Sequence, residues 1–221
     1  MQIKIPRRIS ARNAVLIQER LAPLVSEVSD LPTPLTQLVG CDATYFNGKT
    51  LAAASLVDYH DLHILKMSMV KERIRFPYVP SLLAFREAPA VLHAINRLRS
   101  NSFVCLVDGH GLAHPRRFGL ACFIGLAIDQ PTIGVAKSLL YGAEDGSRVV
   151  DRAGRDIAVS IPLPESRKTV YVSVGHKVSL KDAVEIVKHC LTAHGPVPIR
   201  AAHEEVTKRK WEIKRSNPAS S

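Results

Sequence analysis

One stretch, residues 103–138, limits the folds open to this chain. Residues 103–107, FVCLV, form an apolar run that is too short for a helix and rich in β-forming side chains. Such a run predicts a buried strand. Asp108 ends it, and residues 109–111, GHG, follow as a loop whose two glycines permit backbone angles that other residues avoid.

A helix and a second strand are predicted after this loop. Pro115 suits the first turn of a helix, and the segment from Phe118 to Ile128 is apolar nearly all round, which indicates a buried helix. Residues 132–136 then form a short strand, with Lys137 at its exit. The order is therefore strand, helix, strand.

This order gathers three chemically active side chains. Asp108, His114 and Lys137 are all expected on the carboxyl-end side of one parallel sheet, where open α/β sheets bind ligands. An acid, an imidazole and an ammonium at such an edge suit a metal-assisted reaction on a phosphate.

The charge balance points to a polyanionic partner. The 221 residues fit one domain, and their net charge of +10 favours nucleic acid or an acidic membrane face. Part of that charge lies in residues 208–215, which can equally be a solvated tail.

The cysteines and the apolar runs indicate a cytoplasmic protein. The four cysteines show no metal-binding spacing and sit in apolar surroundings, as buried free thiols do in a reducing compartment. The first ten residues lack the apolar core of a signal peptide, and no apolar run approaches the roughly 20 residues that span a bilayer. No membrane association and no obligate protein partner is expected.

The remaining pattern predicts a mixed α/β sheet flanked by helices. Three strand-like runs, residues 37–45, 50–59 and 62–70, are joined by connections short enough for hairpins. Ser10 and Ser179 can each cap a helix. Further elements are expected in the second half, as strands at residues 147–151, 155–161 and 169–174 and a last helix at 200–210.

Three regions are expected along the chain. Residues 1–36 form an N-terminal helix and linker packed on the core. Residues 37–210 form a single catalytic domain, and residues 211–221 form a basic, disordered tail.

Two acids outside the central stretch have competing interpretations. Asp42 lies in an apolar strand, where an ionised carboxylate is costly unless it is paired or bound to a cation, although alternation can also turn it to solvent. Together with Asp108, a shared divalent cation is the better explanation. Glu87 is expected at the entrance of a helix that has Pro89 in its first turn, either complementing the helix dipole or supplying a third acid.

Tyr78, Arg116 and Arg117 also allow two interpretations. Tyr78 stands between two prolines, as a wedge for a base stack or as part of an ordinary connector. Arg116 and Arg117, placed in a first helical turn, would oppose the dipole, which suggests contact with phosphate or pairing with local acids. His203 has no role from pattern alone.

Five segments together resemble the endonuclease V family of deaminated-base nucleases, which has a ribonuclease-H-like fold. They occur in the family's order and are VGCDATY (39–45), FPYVPSLLAFREAP (76–89), LVDGHGLAHPRRFGLACFIGL (106–126), PTIGVAKSLL (131–140) and PIRAAHE (198–204). The DGHGLAHPRRFG run at 108–119, together with TIGVAKS at 132–138, is highly specific to the family, whereas the N-terminal helix and the basic tail are not.

The resemblance implies a metal site and its catalytic groups. Asp42 and Asp108 would bind Mg²⁺, for which Mn²⁺ is a plausible substitute, with Glu87 and His203 in the same site. Lys137 would stabilise charge on the scissile phosphate. His114 would orient the attacking water or the phosphate.

The resemblance also implies a pocket for an extruded hypoxanthine base. Tyr78 would be the wedge, and the backbone of Pro80, Ser81 and Leu83 would form the pocket together with that of Gly109, His110 and Gly111. The family often has glycine where this chain has Ser81 and glutamine where it has His110, which puts lesion preference in doubt.

The activity implied is Mg²⁺-dependent cleavage of the second phosphodiester 3′ to inosine, which leaves 3′-hydroxyl and 5′-phosphate ends. The substrate would be inosine-containing DNA in repair, or RNA. Two alternatives stand beside it: a nuclease for structured RNA or DNA junctions, and a catalytically silent nucleic-acid-binding module. The silent module is disfavoured because the acids and Lys137 are all present.

Overall fold

The computed structural model describes residues 9–216 and contains one large mixed sheet flanked by helices. The helices are α1 (Ala11–Leu21), α2 (Leu83–Leu98), α3 (Leu120–Ile128), α4 (Leu180–His189) and α5 (Val197–Ser216). The strands are β1 (Gln37–Phe46), β2 (Lys49–Asp58), β3 (Ile64–Arg73), β4 (Val104–Asp108), β5 (Thr132–Ala136), β6 (Ala143–Asp145), β7 (Arg148–Val150), β8 (Asp156–Pro162), β9 (Thr169–His176), β10 (Leu191–Thr192) and β11 (Gly195–Pro196).

The sheet combines a parallel centre with antiparallel wings. Its strand order is β3-β2-β1-β4-β5-β9-β8-β7-β6, in which β1, β4 and β5 run parallel and the other neighbours antiparallel. The predicted α/β class, with a mixed sheet and flanking helices in one domain, is confirmed. The predicted meander β1–β2–β3 is also present, and its first turn has Asn47 and Gly48 at φ values of 46° and 67°, as a type I′ hairpin requires.

Two helix starts differ from the predictions. Glu87 lies inside α2, not at its entrance, because the helix begins at Leu83 and Pro89 is inside it. Burial of Ala84 and Phe85 against the core favours this earlier start, since the apolar stripe then includes another turn.

The helix predicted from Pro115 starts only at Leu120. The amides of Gly119 and Ala121 donate to the carbonyl oxygens of Gly111 and His110, at 3.0 Å each, and this pairing folds the intervening residues back on the glycine loop. Arg116 and Arg117 therefore lie in a turn and do not oppose a helix dipole.

The final helix is longer than predicted. α5 continues to Ser216, so residues 211–216, expected in a disordered tail, are helical. Residues 217–221 of that tail and residues 1–8 of the N-terminal region lie outside the described residues. None of the helices in residues 9–216 is long and apolar enough to cross a membrane.

The two faces of the sheet are covered by different helices. Alternate residues of β2 show this, because Ala53 packs with Ala202 and Val206 of α5 while Ala52 and Ala54 belong to the main core with α2. The N-terminal helix α1 is capped by Ser10, which accepts a hydrogen bond from the amide of Asn13 at 3.2 Å.

A glycine allows α5 to approach the sheet closely. A Cβ atom at Gly40 would lie 2.0 Å from the carbonyl carbon of Pro198, a distance that real Cβ atoms do not reach. The Ser55 hydroxyl donates to the Pro198 carbonyl at 2.7 Å and fixes the same contact from β2. Gly40 thus brings α5 against β1, two residues before Asp42.

We expect Gly40→Ala to lower the free energy of unfolding by about 3 kcal/mol, because the clash is with backbone and cannot be relieved by a rotamer change. Urea unfolding measures this. Gly146→Asn is the control, since Gly146 has open space around it and a φ of +63° that asparagine tolerates. Equal unfolding curves for wild type and Gly40→Ala would contradict the close approach.

Candidate functional site: a carboxylate cluster beside a base-sized pocket

Two carboxylates lie side by side on neighbouring strands: Asp42 in the middle of β1 and Asp108 as the last residue of β4. Cys41 pairs with Val107 in this parallel register, so the next residues, Asp42 and Asp108, are neighbours. Burial raises the pKa of Asp42, and the negative charge of Asp108 raises it further. The two acids therefore repel each other across neighbouring strands.

Glu87 completes the acidic cluster from α2. Its side chain is buried and accepts a hydrogen bond from the Tyr45 hydroxyl. Burial raises the pKa of Glu87 to about 7; the Tyr45 bond opposes this rise, and the charges of Asp42 and Asp108 add to it. The Arg86 guanidinium lies over the Tyr45 ring, 4.3 Å from its centroid, and supports this tyrosine.

Two cationic or basic side chains approach the acids. Lys137 Nζ donates to Asp108 Oδ2 at 2.6 Å, and His203 Nδ1 lies 2.7 Å from Asp42 Oδ2. Burial acts to lower the pKa of Lys137, but the charges of Asp108 and Asp42 outweigh it and leave the pKa above its ordinary value. Lys137 is therefore an ammonium at neutral pH.

The donor set fits a divalent cation. Within residues 9–216, no three acid, histidine or cysteine side chains already converge as a ligand set. Each carboxylate instead faces its own partner: Lys137, His203 or Tyr45. The negative charge of Asp108 raises the pKa of both Asp42 and Glu87. Carboxylates are the oxygen ligands that Mg²⁺ prefers, and a cation would offset the repulsion among these three.

A separate pocket of about 220 Å³ lies beside this cluster. Most of its lining comes from three places: the segment before α2, the loop after β4 and the exit of β5. It includes Tyr78, Ser81, His110 and Ser138. Tyr78 is 68% exposed at its mouth. His110 Nε2 bonds the Ser138 carbonyl at 2.9 Å and so joins two sides of the wall.

The Ser81 peptide is held by an unusual number of donors. Its carbonyl oxygen accepts hydrogen bonds from Gln18 Nε2 at 3.0 Å, His114 Nε2 at 2.8 Å and Arg116 Nη2 at 3.1 Å. Arg116 Nη2 also lies 2.6 Å from Ser81 Oγ. These bonds hold Ser81 at a φ of +64°, the left-handed region that favours glycine.

His114 therefore belongs to the pocket wall, and Arg116 holds the Ser81 peptide of that wall in place. The second ring nitrogen of His114 accepts from the Arg116 amide at 3.1 Å, and burial lowers the pKa of this histidine to about 4, so it is neutral. Both nitrogens are used by protein groups, which leaves neither to orient water or phosphate. Arg116 Nε donates to Gln18 Oε1 at 2.7 Å.

Comparison with known proteins assigns the chain to a family. A family model described as Endonuclease V matches residues 19–204. The chain belongs to the endonuclease V family. Relatives named Endonuclease V include that of Thermofilum pendens, 39% identical over 90% of this chain and 89% of its own, and that of Roseiflexus castenholzii, 40% identical over 89% and 92%.

Solved structures of endonuclease V agree in fold. Human ENDOV is 25% identical and superposes with a TM-score of 0.84 over 92% of this chain and 99% of its own. Endonuclease V from Ciona intestinalis, in complex with a 24mer DNA containing an inosine followed by a ribo-adenosine, is 26% identical, with a TM-score of 0.84 over 91% and 98%. The ribonuclease-H-like class is thereby confirmed, and the chain is an endonuclease.

The structure separates the predicted site residues of this chain into two groups. Asp42, Glu87, Asp108, Lys137 and His203 come together in the acidic cluster. A second set lines the base-sized pocket: Tyr78, Ser81, Leu83, His110 and His114.

Three other residues predicted for the pocket lie outside its lining. Pro80, Gly109 and Gly111 do not line this pocket. The amides of Gly109 and Gly111 donate to the Val135 carbonyl and the Ser173 hydroxyl. Arg117 pairs with an acid, as the alternative interpretation expected, but the partner, Glu27 at 2.6 Å, is 90 residues away in the chain and not local.

Sequence patterns missed Gln18 and Tyr45. Gln18 is 1% exposed and joins α1 to the pocket wall, a contact between residues 63 and 100 positions apart. Tyr45 lies in the same sequence segment as Asp42, yet only the position of α2 shows that it reaches Glu87. The one sequence signal for Gln18 is its place beside the apolar positions Ile17 and Leu21 of an amphipathic helix, where a glutamine is unexpected.

We expect Glu87 to reduce stability as pH rises in the absence of divalent cations. Its folded-state pKa of about 7 exceeds the reference value of 4.5, so between these pH values the folded protein holds a proton that the unfolded chain has lost. The contribution of Glu87 to the free energy of unfolding is therefore full below about pH 4.5 and is lost as pH rises through 7.

Urea unfolding in the presence of a chelator at pH 4.5, 6 and 8 tests this. The quantity compared is the free energy of unfolding of wild type minus that of Glu87→Gln. The wild type should lose stability relative to the variant across this range. Glu185→Gln, which removes an exposed acid from α4, controls for loss of a negative charge. A difference that does not change with pH would contradict the environment described for Glu87.

Proposed function

We propose that this protein is a Mg²⁺-dependent endonuclease that recognises inosine or another deaminated base and cuts the second phosphodiester bond 3′ to it. The products carry 3′-hydroxyl and 5′-phosphate ends, and the role is DNA repair in the cytoplasm. The observation that carries the proposal is a cluster of three carboxylates and Lys137, of which Glu87 is buried, close to a pocket with the exposed Tyr78 in its lining.

The carboxylates define the chemical step. Asp42, Asp108 and Glu87 would hold the ion, with His203 at its edge, and Mn²⁺ could replace Mg²⁺. When bound, the ion supplies Lewis acidity that polarises the phosphate and lowers the pKa of water. Glu87, with its pKa near 7, gives up its proton readily when a cation approaches.

Lys137 changes partner in this scheme. Its ammonium pairs with Asp108, and the Lys137 side chain is 64% exposed. Once Asp108 faces a cation, Lys137 Nζ is free to turn to the scissile phosphate, where it offsets the charge that grows in the transition state.

The pocket accounts for lesion recognition. A base must leave the stack to enter it, and this costs a few kcal/mol, least for a mispaired base. The fixed Ser81 peptide gives the pocket a rigid floor, and Tyr78 can fill the gap in the duplex. The endonuclease V of Ciona intestinalis, crystallised with inosine-containing DNA, supports this substrate class for the present chain.

An RNA substrate is the second candidate. The oligonucleotides bound by the Ciona enzyme place a ribo-adenosine directly after the inosine, which favours tolerance of ribose next to the lesion. A non-catalytic binding module agrees less well with the site, because binding alone does not require a lysine paired with an acid in a cluster of carboxylates.

We expect Asp42→Ala and Asp108→Ala each to abolish cleavage while part of the nucleic-acid affinity remains. Removing either acid disrupts the metal site, yet the basic surface that provides non-specific affinity stays. End-labelled DNA and RNA oligomers with a single inosine, incubated with Mg²⁺ and mapped to the nucleotide, measure the cut and its position.

Asp145→Ala, which removes an exposed acid from β6, should cut like wild type. Near-normal turnover by Asp42→Ala or Asp108→Ala would refute the metal assignment. Equal cutting of strands with and without inosine would refute the lesion specificity.

Tyr78→Ala should slow cutting of inosine in duplex by about tenfold, because stacking of a base on an aromatic ring is worth roughly 1–3 kcal/mol. Single strands have less stacking to hold open, so their cutting should slow less. The ratio of duplex to single-strand rates at one salt concentration measures the effect. Tyr78→Phe keeps the ring and should keep the ratio, whereas an equal loss on both substrates would assign Tyr78 to general binding.

A further inference from the structure

A second, larger cavity of about 620 Å³ lies on the other side of the catalytic groups. Asp108 and Lys137 form one end of it, and α5 and β9 form its walls. Leu163, Val170 and Ile199 supply apolar surface. We call this space the downstream cavity.

The downstream cavity contains two cations that the catalytic scheme does not use. Lys168, in the β8–β9 loop, is exposed, and Arg200 projects from α5. Arg200 Nε is buried and has no hydrogen-bond partner among the described residues. Its acidic neighbour Glu204 is 3.8 Å away and 67% exposed, so this pair leaves hydrogen-bonding capacity unused.

We call the pocket of about 220 Å³ that includes Tyr78 and Ser81 the lesion pocket; it and the downstream cavity lie on opposite faces of the sheet. In β5, Val135 pairs with Asp108 and lines the downstream cavity. A Cβ atom on the preceding residue, Gly134, would instead meet the backbone of Gly109 and His110 in the loop that borders the lesion pocket. Because successive residues of a strand face opposite sides, the ends of β4 and β5 separate the two spaces.

A nucleic-acid strand that runs from one space to the other would cross these strand ends. The acidic cluster and Lys137 lie at the crossing, where the scissile phosphate would be. Cleavage of the second phosphodiester bond 3′ to the lesion leaves one nucleotide between the lesion and the cut, and the nucleotide after the cut would then emerge toward the downstream cavity.

We propose that the downstream cavity binds the nucleotide immediately 3′ of the cut bond. Its base packs on the apolar wall, and its own 3′ phosphate meets Lys168 and Arg200. The volume lies in the range of small-molecule pockets, and a guanidinium with an unused N–H suits a phosphate oxygen. This inference rests on the proposed function, which fixes the direction of the strand.

Three single-stranded substrates with one inosine separate the contacts. The first extends well beyond the cut, the second carries an abasic sugar at the first nucleotide after the cut, and the third ends at that nucleotide with a free 3′-hydroxyl. Initial rates with Mg²⁺ give kcat and KM for wild type, Lys168→Gln, Arg200→Gln and Arg200→Lys.

We expect Arg200→Gln and Lys168→Gln each to raise KM on the extended strand about tenfold with little change in kcat, because each removes a charged hydrogen bond made equally in ground and transition states. On the strand that ends at the first nucleotide they should change KM less than twofold, since the phosphate is already missing. Arg200→Lys should recover part of the loss, and the abasic substrate should raise KM for every variant alike.

Lys181→Gln, which removes a positive charge from exposed α4, controls for general electrostatics and should affect all substrates equally. Equal KM changes for Arg200→Gln and Lys168→Gln on extended and truncated strands would overturn the subsite and leave the proposed function standing. Failure of wild type to cut any inosine strand would overturn both. A KM that stays unchanged for Arg200→Gln and Lys168→Gln on all three substrates would also overturn the subsite and would assign the cavity to another occupant.

Discussion

Mutual repulsion among Asp42, Asp108 and Glu87 is the constraint on which the arrangement of this molecule depends. Burial makes each charge costly, and proximity adds to that cost, as the raised pKa values of Asp42 and Glu87 show. Lys137 and His203 offset the charge of two of the acids and Tyr45 donates to the third. A site that is strained without a cation and relieved by one suits metal-assisted phosphate chemistry.

The scaffold holds these groups by backbone contacts more than by side-chain pairs. Gly40 lets α5 approach β1 closely enough for His203 to reach Asp42, and the parallel register of β1 and β4 places the two aspartates together. The same principle applies at the lesion pocket, where three donors fix one carbonyl, that of Ser81. Rigid support of this kind keeps a site in its productive geometry.

Two spaces on opposite faces of the sheet give the molecule a direction. The smaller is bordered by Tyr78 and has the size for one extruded base. The larger is lined by Lys168 and Arg200, and Arg200 Nε makes no hydrogen bond within residues 9–216. The catalytic groups stand between them at the ends of β4 and β5. A strand bound across this edge would be held on both sides of the bond that is cut.

The sequence by itself determined the strand–loop–helix–strand unit, the meander and the identity of the acids, because period-two apolar runs, turn residues and charged residues in apolar strands are local signals. The predicted starts of α2 and α3 were wrong, because tertiary packing outweighed the usual placement of proline in the first turn of a helix. Only the tertiary structure showed that His114 and Arg116 bind the Ser81 carbonyl and that Gln18 joins them. It also showed that Arg200 Nε makes no hydrogen bond within residues 9–216. Such contacts connect residues far apart in the chain, and their partners are set by how helices pack on the sheet, which no local pattern encodes.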